Sequence, residues 1–293
     1  MPERPIIVAG AGVGGLSAAL ALARAGRYAI VLERAPALAE LCQRVLGQDS
    51  LFISVFSGTL PPRQLYSNLD AEATERTIGP YLSYAYLLDP FFELFRQGVG
   101  TCVVSLDECA PDDFRSSEYY RVFYSEIGLR NEVTFFVDAG HGASIVLSLG
   151  QRRGNAGAGL PPKADLEGYL PLIAALCLKH WPHAAATEGD ADSAVTLAFE
   201  RFQTSKLSTR EAAIVRLMLK GHSTKSMARL LGNSPETVKV HRKRIYAKLQ
   251  ISSQGELFSM FLGALAGAHP EAERPPLPPA SPPPGDGARR FLN

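Results

Sequence analysis

Cysteine is scarce in this chain of 293 residues: Cys42, Cys102, Cys109 and Cys177 are its only thiols. No two stand as C-x-x-C or at a zinc-ligand spacing, which argues against a structural metal site and a disulfide framework. Dispersed thiols suit a reducing compartment, so a cytoplasmic protein is expected. Net charge is missing too. Thirty Lys and Arg face 29 Asp and Glu, which excludes a chain that acts as a polyelectrolyte along its whole length. Long apolar runs are absent but for one, Pro5 to Ala23, which carries no charge. Four glycines interrupt it, Glu3 precedes it and Arg24 ends it. That pattern disfavours a membrane span or a signal sequence, and no membrane partner is expected.

The charge that cancels overall is unevenly placed. Ser205 to Gln250 holds eleven Lys or Arg against two acids, Glu211 and Glu236, leaving nineteen against 27 elsewhere. One basic module on an acidic remainder is the electrostatic footprint of a DNA reader, although a solvated helix face in a bundle has the same composition.

Helix starts are written into this module. Ser208 with Glu211 three residues on is a capping box, followed by apolar Ala212, Ile214, Val215, Leu217 and Met218. Gly221 stops that helix and Ser223 caps the next, Thr224 to Leu231. Gly232 and Asn233 turn the chain, and Ser234 caps a third helix with Pro235 at its first position. Two short helices, a tight turn and a basic helix make a helix-turn-helix. At about 100° per residue, Val238, His241, Ile245 and Leu249 fall on one face of the third helix. Glu236, Lys239, Val240, Lys243 and Ala247 fall on the other, with Arg242 and Arg244 on opposite flanks. A helix in the major groove needs this division, with donors toward base edges and cations toward phosphates.

The module resembles the DNA-binding domain of LuxR-type transcriptional regulators. It has Leu207-Ser208-Thr209-Arg210-Glu211, then Gly221, Ser223, Lys225, Met227 and Ala228, then Ser234, Thr237, Val238, Lys239, His241, Lys248 and Leu249. The resemblance implies that Lys239, Val240 and Lys243 face the groove and that Lys225, Thr237 and Arg242 lie near phosphates. It makes His241 structural, in line with its inward angle.

The N-terminus reads as strand, glycine turn, helix, strand. Pro5 to Ala9 is the first strand, Gly10-Ala-Gly12-Val-Gly14-Gly15 the turn, Leu16 to Ala25 the helix and Tyr28 to Leu32 the second strand, ending at Glu33. Gly10, Gly12 and Gly15 let a backbone approach a pyrophosphate, and Glu33 is placed for a ribose hydroxyl. This is similar to the first βαβ unit of flavin-dependent aromatic hydroxylases, through Leu32-Glu33-Arg34-Ala35-Pro36. The later D-G and G-D-A-A-H segments of those enzymes have no counterpart here. The reading is therefore a dinucleotide-binding fragment over residues 1–36 with no flavin (FAD) expected. A flavin-dependent monooxygenase or a flavin-sensing protein is the alternative.

Residues 37–181 read as a sensor domain. Leu38 to Leu46 is a helix; Ser50 to Phe56 and Gln64 to Leu69 are paired strands about a Gly58…Pro61-Pro62 turn. Ala71 to Phe95 is helical with a break at Asp89-Pro90; Thr101 to Leu106 is extended; Ser116 to Gly128 is helix-prone and aromatic. Glu132 to Asp138 and Ala143 to Gly150 form a hairpin, and Leu166 to Trp181 closes with an amphipathic helix. The order suits an antiparallel or mixed sheet flanked by helices, as in PAS- and GAF-like modules, and resembles the ligand-binding half of LuxR-type proteins. The many aromatics are either core or the wall of a pocket for an unknown small molecule, with Tyr81, Tyr84 and Asp89 as candidate contacts. The acidic pair and the phosphate-accepting aspartate of a phosphorelay receiver are not in place.

Residues 182–202 read as a polar linker, 203–266 as the DNA-binding domain and 267–293 as a disordered Pro-rich tail. The fold class is thus α/β in the N-terminal and sensor-like region and all-α in the C-terminal helix-turn-helix. The expected function is transcriptional regulation without catalysis. The expected partners are double-stranded DNA, a small ligand and a second copy of the chain, paired through part of the apolar surface of a fourth helix, Leu257, Phe258, Phe261 and Leu262, whose alternative use for any one residue is to close the small core. A lone βαβ unit cannot wall in an isoalloxazine ring. The purified protein should therefore be colourless, and removal of residues 1–36 should leave DNA binding intact. A stoichiometric flavin spectrum that disappears on Gly12→Val would overturn both expectations.

Overall fold

In the computed structural model the described residues are 50–70, 74–125, 128–152, 161–185, 194–203 and 205–268, with short pieces before residue 50. Among those pieces, strands β1 (Ile6–Ala9) and β2 (Ala29–Leu32) pair in parallel, Ile6 opposite Ala29. This is the pairing a βαβ unit requires. Gly10, Gly12, Gly15 and Glu33, the expected Leu38 to Leu46 helix except Leu46, and residues 269–293 lie outside the described residues.

The central region is built on a five-stranded antiparallel sheet in the order β4-β3-β7-β6-β5. Its strands are β3 (Ser50–Ser57), β4 (Arg63–Ser67), β5 (Cys102–Ser105), β6 (Leu129–Gly140) and β7 (Ala143–Arg152). Alternation along the strands gives the sheet two apolar faces. On one face Leu51, Ile53, Val55, Val133, Phe135, Ile145 and Leu147 are buried with Leu166, Ile173 and Leu176. On the other, Phe56, Phe136 and Val146 join a larger core. The β6–β7 turn, Gly140-His141-Gly142, takes φ of 78°, 52° and 69°, a left-handed run that explains its two glycines.

Short helices cover the second face: α1 (Gly79–Ser83), α2 (Pro90–Arg96), α3 (Leu106–Cys109) and α4 (Glu118–Tyr120), the last continued by a π-turn over Arg121–Ser125. The break at Asp89-Pro90 is a helix start. The Asp89 carboxylate accepts from the Phe91 amide at 2.8 Å, with Pro90 at the first helical position. The long α5 (Lys163–His180) packs Leu166, Ile173, Leu176 and Cys177 on the first face.

The stretch expected to be linker departs from that expectation in its second half. Ala194–Arg201 is a helix, α6, and Val195, Phe199 and Phe202 are buried. Spacings of four and three residues put these side chains on one helical stripe, which an acidic, alanine-rich lead-in concealed. The helix-turn-helix follows as α7 (Thr209–Leu219), α8 (Thr224–Leu231), α9 (Pro235–Leu249) and α10 (Gln254–Ala268). All three serine caps form as expected. In the first, Glu211 Oε2 also accepts from the Ser208 amide at 2.8 Å.

Most of the apolar face of α10 closes the core within the chain, the alternative use expected for it. Leu257, Phe258 and Phe261 are buried, and the Phe261 ring meets Phe199 at 5.5 Å and Phe202 at 5.3 Å. The unrecognised α6 supplies the partner surface. Of the four expected residues, Leu262 alone is only partly buried.

One hydrophobic core runs from the second sheet face into the helix-turn-helix, joining Phe56, Phe92 and Phe114 to Met218, Met227 and Phe261. The junction is tight at Gly221, where φ is +86° and an added Cβ would lie 2.8 Å from the Phe114 Cα. Gly221→Ala should therefore destabilise the protein by roughly 2–4 kcal/mol, from left-handed strain and a backbone clash. Thermal unfolding checks this; an unchanged midpoint would show that the two parts do not pack in solution.

Candidate functional site

Two surfaces carry candidate function, and the first is α9. Val238, Ile245 and Leu249 are buried, as the helical angle requires, and His241 is partly buried. The His241 Nδ1 has no hydrogen-bond partner among the described residues. The opposite face is bare: Val240 is 50% exposed, and Glu236, Lys239, Lys243 and Ala247 are all exposed. Lys225 and Thr237 are exposed beside it. Arg242 is half-buried, because its Nη1 donates to Thr224 Oγ1 at 3.0 Å and clips α9 to the start of α8.

The orientation of α9 is set by polar ties as well as by its apolar stripe. Lys248 Nζ donates to Glu211 Oε2 at 2.6 Å, joining the end of α9 to the capping box of α7. That bond, with those from Ser208, holds the Glu211 carboxyl down at about 2. Arg210 donates to the Leu231 carbonyl and Gln254 Nε2 to the Met218 carbonyl at 2.9 Å. These contacts fill the carbonyl ends of α8 and α7.

The second surface is a cavity of about 80 Å³ under the second sheet face. Tyr81 and Asp89 line it, as expected, and the Tyr81 hydroxyl donates to Asp89 Oδ2 at 2.6 Å. Tyr84 does not line it. It ends α1 at φ −159° and ψ −28°, leaving helical geometry, and its ring is buried in the core. Burial there pushes its phenol up to about 12.

Two residues that the sequence reading did not single out, and two of the aromatics it set between core and pocket wall, complete the lining. Glu132 and Ser148 point from adjacent strands, and Tyr119 and Tyr124 come from α4 and its π-turn. The Tyr124 hydroxyl donates to Glu132 Oε2 at 2.6 Å. Burial pushes the Asp89 carboxyl up to about 6, against the hydrogen bonds from Tyr81 and the Phe91 amide. Burial, and then the charge of Asp89, push Glu132 up to about 7. A period of two along β6 would have flagged Glu132, which shares its face with Thr134 and Phe136.

The cavity and the helix-turn-helix are linked by one segment. The Phe114 ring packs against Tyr119 at 5.7 Å and Tyr124 at 5.6 Å, both cavity residues. Two residues earlier, Asp112 accepts from the Ser223 amide at 3.0 Å and the Ser223 hydroxyl at 2.5 Å. The Asp113 amide donates to the Gly221 carbonyl at 3.1 Å, and Lys220 pairs with Glu93 at 2.7 Å. Burial alone would raise the Asp112 carboxyl, but the Ser223 hydrogen bonds outweigh it and hold it low.

Residues 205–261 match a family described as bacterial regulatory proteins, luxR family. A protein of Aeromonas salmonicida, described as an HTH-type transcriptional regulator in the exeN 3' region, is 32% identical over 189 residues, covering 61% of this chain and 96% of its own length. The 3-hydroxybenzoate 6-hydroxylase 1 of Aquipseudomonas alcaligenes is 67% identical over 36 residues, which is 12% of this chain and 9% of the enzyme. Among solved structures, the VqsR LBD domain from Pseudomonas aeruginosa is 25% identical with a TM-score of 0.43, covering 49% of this chain and 84% of that one.

The bare face of α9 makes a direct prediction for DNA binding. Lys239→Ala and Lys243→Ala should each narrow the gap between operator and random DNA by roughly 1–3 kcal/mol. Arg242→Ala should weaken both together and lower the salt slope by about 1, since a phosphate contact releases counterions whatever the sequence. Titration by fluorescence anisotropy at several salt concentrations separates the two outcomes. Wild-type operator affinity in the double lysine variant would mean that another face of the helix meets the bases.

Proposed function

This chain belongs to the luxR family of bacterial regulatory proteins, and we propose that it reads a specific DNA sequence through α9 under the control of a small molecule held in the central cavity. It is a DNA-binding transcriptional regulator. The observation that carries the sequence-reading role is the exposed face of α9, where Lys239, Val240 and Lys243 stand on a helix tied to α7 and α8. In this reading those three meet base edges, and Lys225, Thr237 and Arg242 meet the phosphates on either side.

The assembly we propose is a homodimer on a pseudo-palindrome, half-sites about one helical turn apart, because a helix this short reads only a few base pairs. The dimer surface we assign is not the apolar stripe of α10, which is already covered. The domain division we propose keeps a sensor unit over 37–181 and a DNA-binding unit over 203–266, with α6 as a strut between them. The protein acts as a binder and not as a catalyst, works in the cytoplasm and needs no cofactor. Among the described residues no helix is long and apolar enough to cross a membrane.

Control by a ligand requires a route from the cavity to the DNA-binding unit. The segment from Asp112 to Tyr124 offers one, since its tyrosines wall the cavity and its aspartates hold the Gly221–Ser223 turn. Footprinting of genomic DNA with full-length protein, with and without extract of the native cells, tests the whole reading. A protected set of sites that shifts with extract is the expected result. Asp112→Ala should still bind these sites and lose roughly 1 kcal/mol of the coupling to extract. A variant that responds as the wild type does would place the route elsewhere.

A further inference from the structure

The start of α8 is closed by a group from outside the DNA-binding unit. In α7 the helix supplies its own closure: Ser208 Oγ accepts from the Glu211 amide, and Glu211 Oε2 accepts from the Ser208 amide. In α8 the residue three past the cap is Ser226, not an acid. Its amide donates to Ser223 Oγ at 3.1 Å, but a serine there cannot answer as Glu211 does. The Ser223 amide is met by Asp112 of the central region instead. The Asp112 carboxylate accepts from that amide at 3.0 Å and from the Ser223 hydroxyl at 2.5 Å, across 111 positions of sequence.

This place lies on the edge of the helix-turn-helix assigned to phosphates. Arg242 Nη1 donates to Thr224 Oγ1 at 3.0 Å, so the start of α8 touches a side chain given to the DNA backbone. Lys225 stands exposed one residue further on. In a helix-turn-helix the first helix crosses the DNA backbone, and an amide with a hydroxyl at a helix start suits an oxyanion. A carboxylate and a phosphate diester need the same donors, and each carries the charge that the positive end of a helix favours. They cannot both hold Ser223, because its one N–H and one O–H are already given to Asp112.

Charge makes the second, independent observation. The central region meets the basic DNA-binding unit with acids at three places. Glu93 pairs with Lys220 at 2.7 Å, Asp112 takes Ser223, and Glu118 Oε1 lies 3.5 Å from where a Cβ on Gly255 would stand, at the start of α10. Asp113 is exposed beside Asp112 and adds to the same edge. Burial would raise the Asp112 carboxyl, and the Ser223 bonds hold it low instead, so it is charged at neutral pH. A phosphate arriving there meets like charge at short range as well as occupied donors.

We propose that Asp112 occupies on α8 the place of a DNA phosphate, so that the central region restrains DNA binding until this carboxylate is displaced. The proposal rests on the reading of DNA through α9 and adds what opposes it. Asp112 is exposed, and opening two hydrogen bonds at a surface is a local event that leaves the core in place. The linkage runs in both directions. Whatever draws Asp112 away from Ser223 tightens DNA binding, and DNA loosens the Asp112 contact by the same factor. Phe114, two residues on, packs against Tyr119 and Tyr124 of the cavity wall, which gives a molecule in the cavity a lever on the restraint.

The test uses full-length protein and two duplexes of about 30 base pairs, one of mixed sequence and one from the sites that footprinting protects. Asp112→Asn keeps the shape of the side chain and removes its charge. Glu167→Gln removes one charge from α5, on the other face of the sheet, and is the control. Asp112→Asn should bind both duplexes about three- to tenfold more tightly than the wild type at about 50 mM salt, with the gain fading at about 0.3 M. Both duplexes gain because a phosphate contact carries no sequence information. Glu167→Gln should bind as the wild type does. Hydrogen exchange by NMR reads the contact directly. The Asp113 amide donates to the Gly221 carbonyl at 3.1 Å, and its protection should fall when duplex is added to the wild type. Unchanged or weaker binding by Asp112→Asn, an equal gain in Glu167→Gln, or an Asp113 amide as well protected with duplex as without it would each overturn the proposal. Those results leave the reading through α9 standing, since Lys239→Ala and Lys243→Ala test it separately by loss of discrimination.

Discussion

The close contact between Phe114 and Gly221 is the constraint on which the arrangement depends. A glycine at φ +86° lets the backbone of the α3–α4 connection lie directly on the turn before α8. Any side chain there would hold the two apart, and the polar contacts around it, from Asp112 to Ser223 and from Asp113 to Gly221, would open with it. Because packed interiors transmit displacement and do not absorb it, the cavity wall and the helix-turn-helix are mechanically continuous at this point.

That continuity changes the meaning of the domain boundary. One apolar cluster includes sheet residues, Phe114, α6 and the core of the helix-turn-helix. A small helical unit has little interior of its own, and here Phe261 of α10 is covered by Phe199 of α6 and by Phe202 just after it. The face that remains open is the one carrying Lys239, Val240 and Lys243. Burial of the stripe Val238, Ile245 and Leu249 and exposure of the opposite face leave α9 as a positively charged edge, the form a major-groove reader needs.

The cavity is lined by polar groups where apolar ones could pack. Filling it with apolar side chains would be the more stable choice for a core of this kind. Asp89 and Glu132 line it instead, among the dense aromatic packing of Phe114, Tyr119, Tyr120 and Tyr124. Stacking of Tyr120 on Tyr124 at 5.1 Å and an interplanar angle of 12° holds the π-turn that presents Tyr124 to Glu132.

Local chemistry was legible in the amino acids themselves. Serine caps, a glycine or proline at a helix end and the inward stripe of Val238, Ile245 and Leu249 follow from interactions within a few residues, and all appear in the structure. The strands and the hairpin from β6 to β7 were readable for the same reason, since alternation and turn glycines are local signals. What depended on distant partners was not readable. Phe199 and Phe202 looked like the end of a linker until Phe261 met them, and the stripe on α10 looked like an oligomer surface until α6 covered it. Glu132 sat in an ordinary strand, and only the folding of the sheet over Asp89 gave its carboxyl a partner of like charge. Sequence alone determined the caps, the strand and helix periods and the basic face of α9, because short-range sterics and hydrogen bonds decide those. Tertiary structure decided which apolar faces are covered and which acids share a cavity, because burial and the electrostatics it creates exist only once remote segments close on each other.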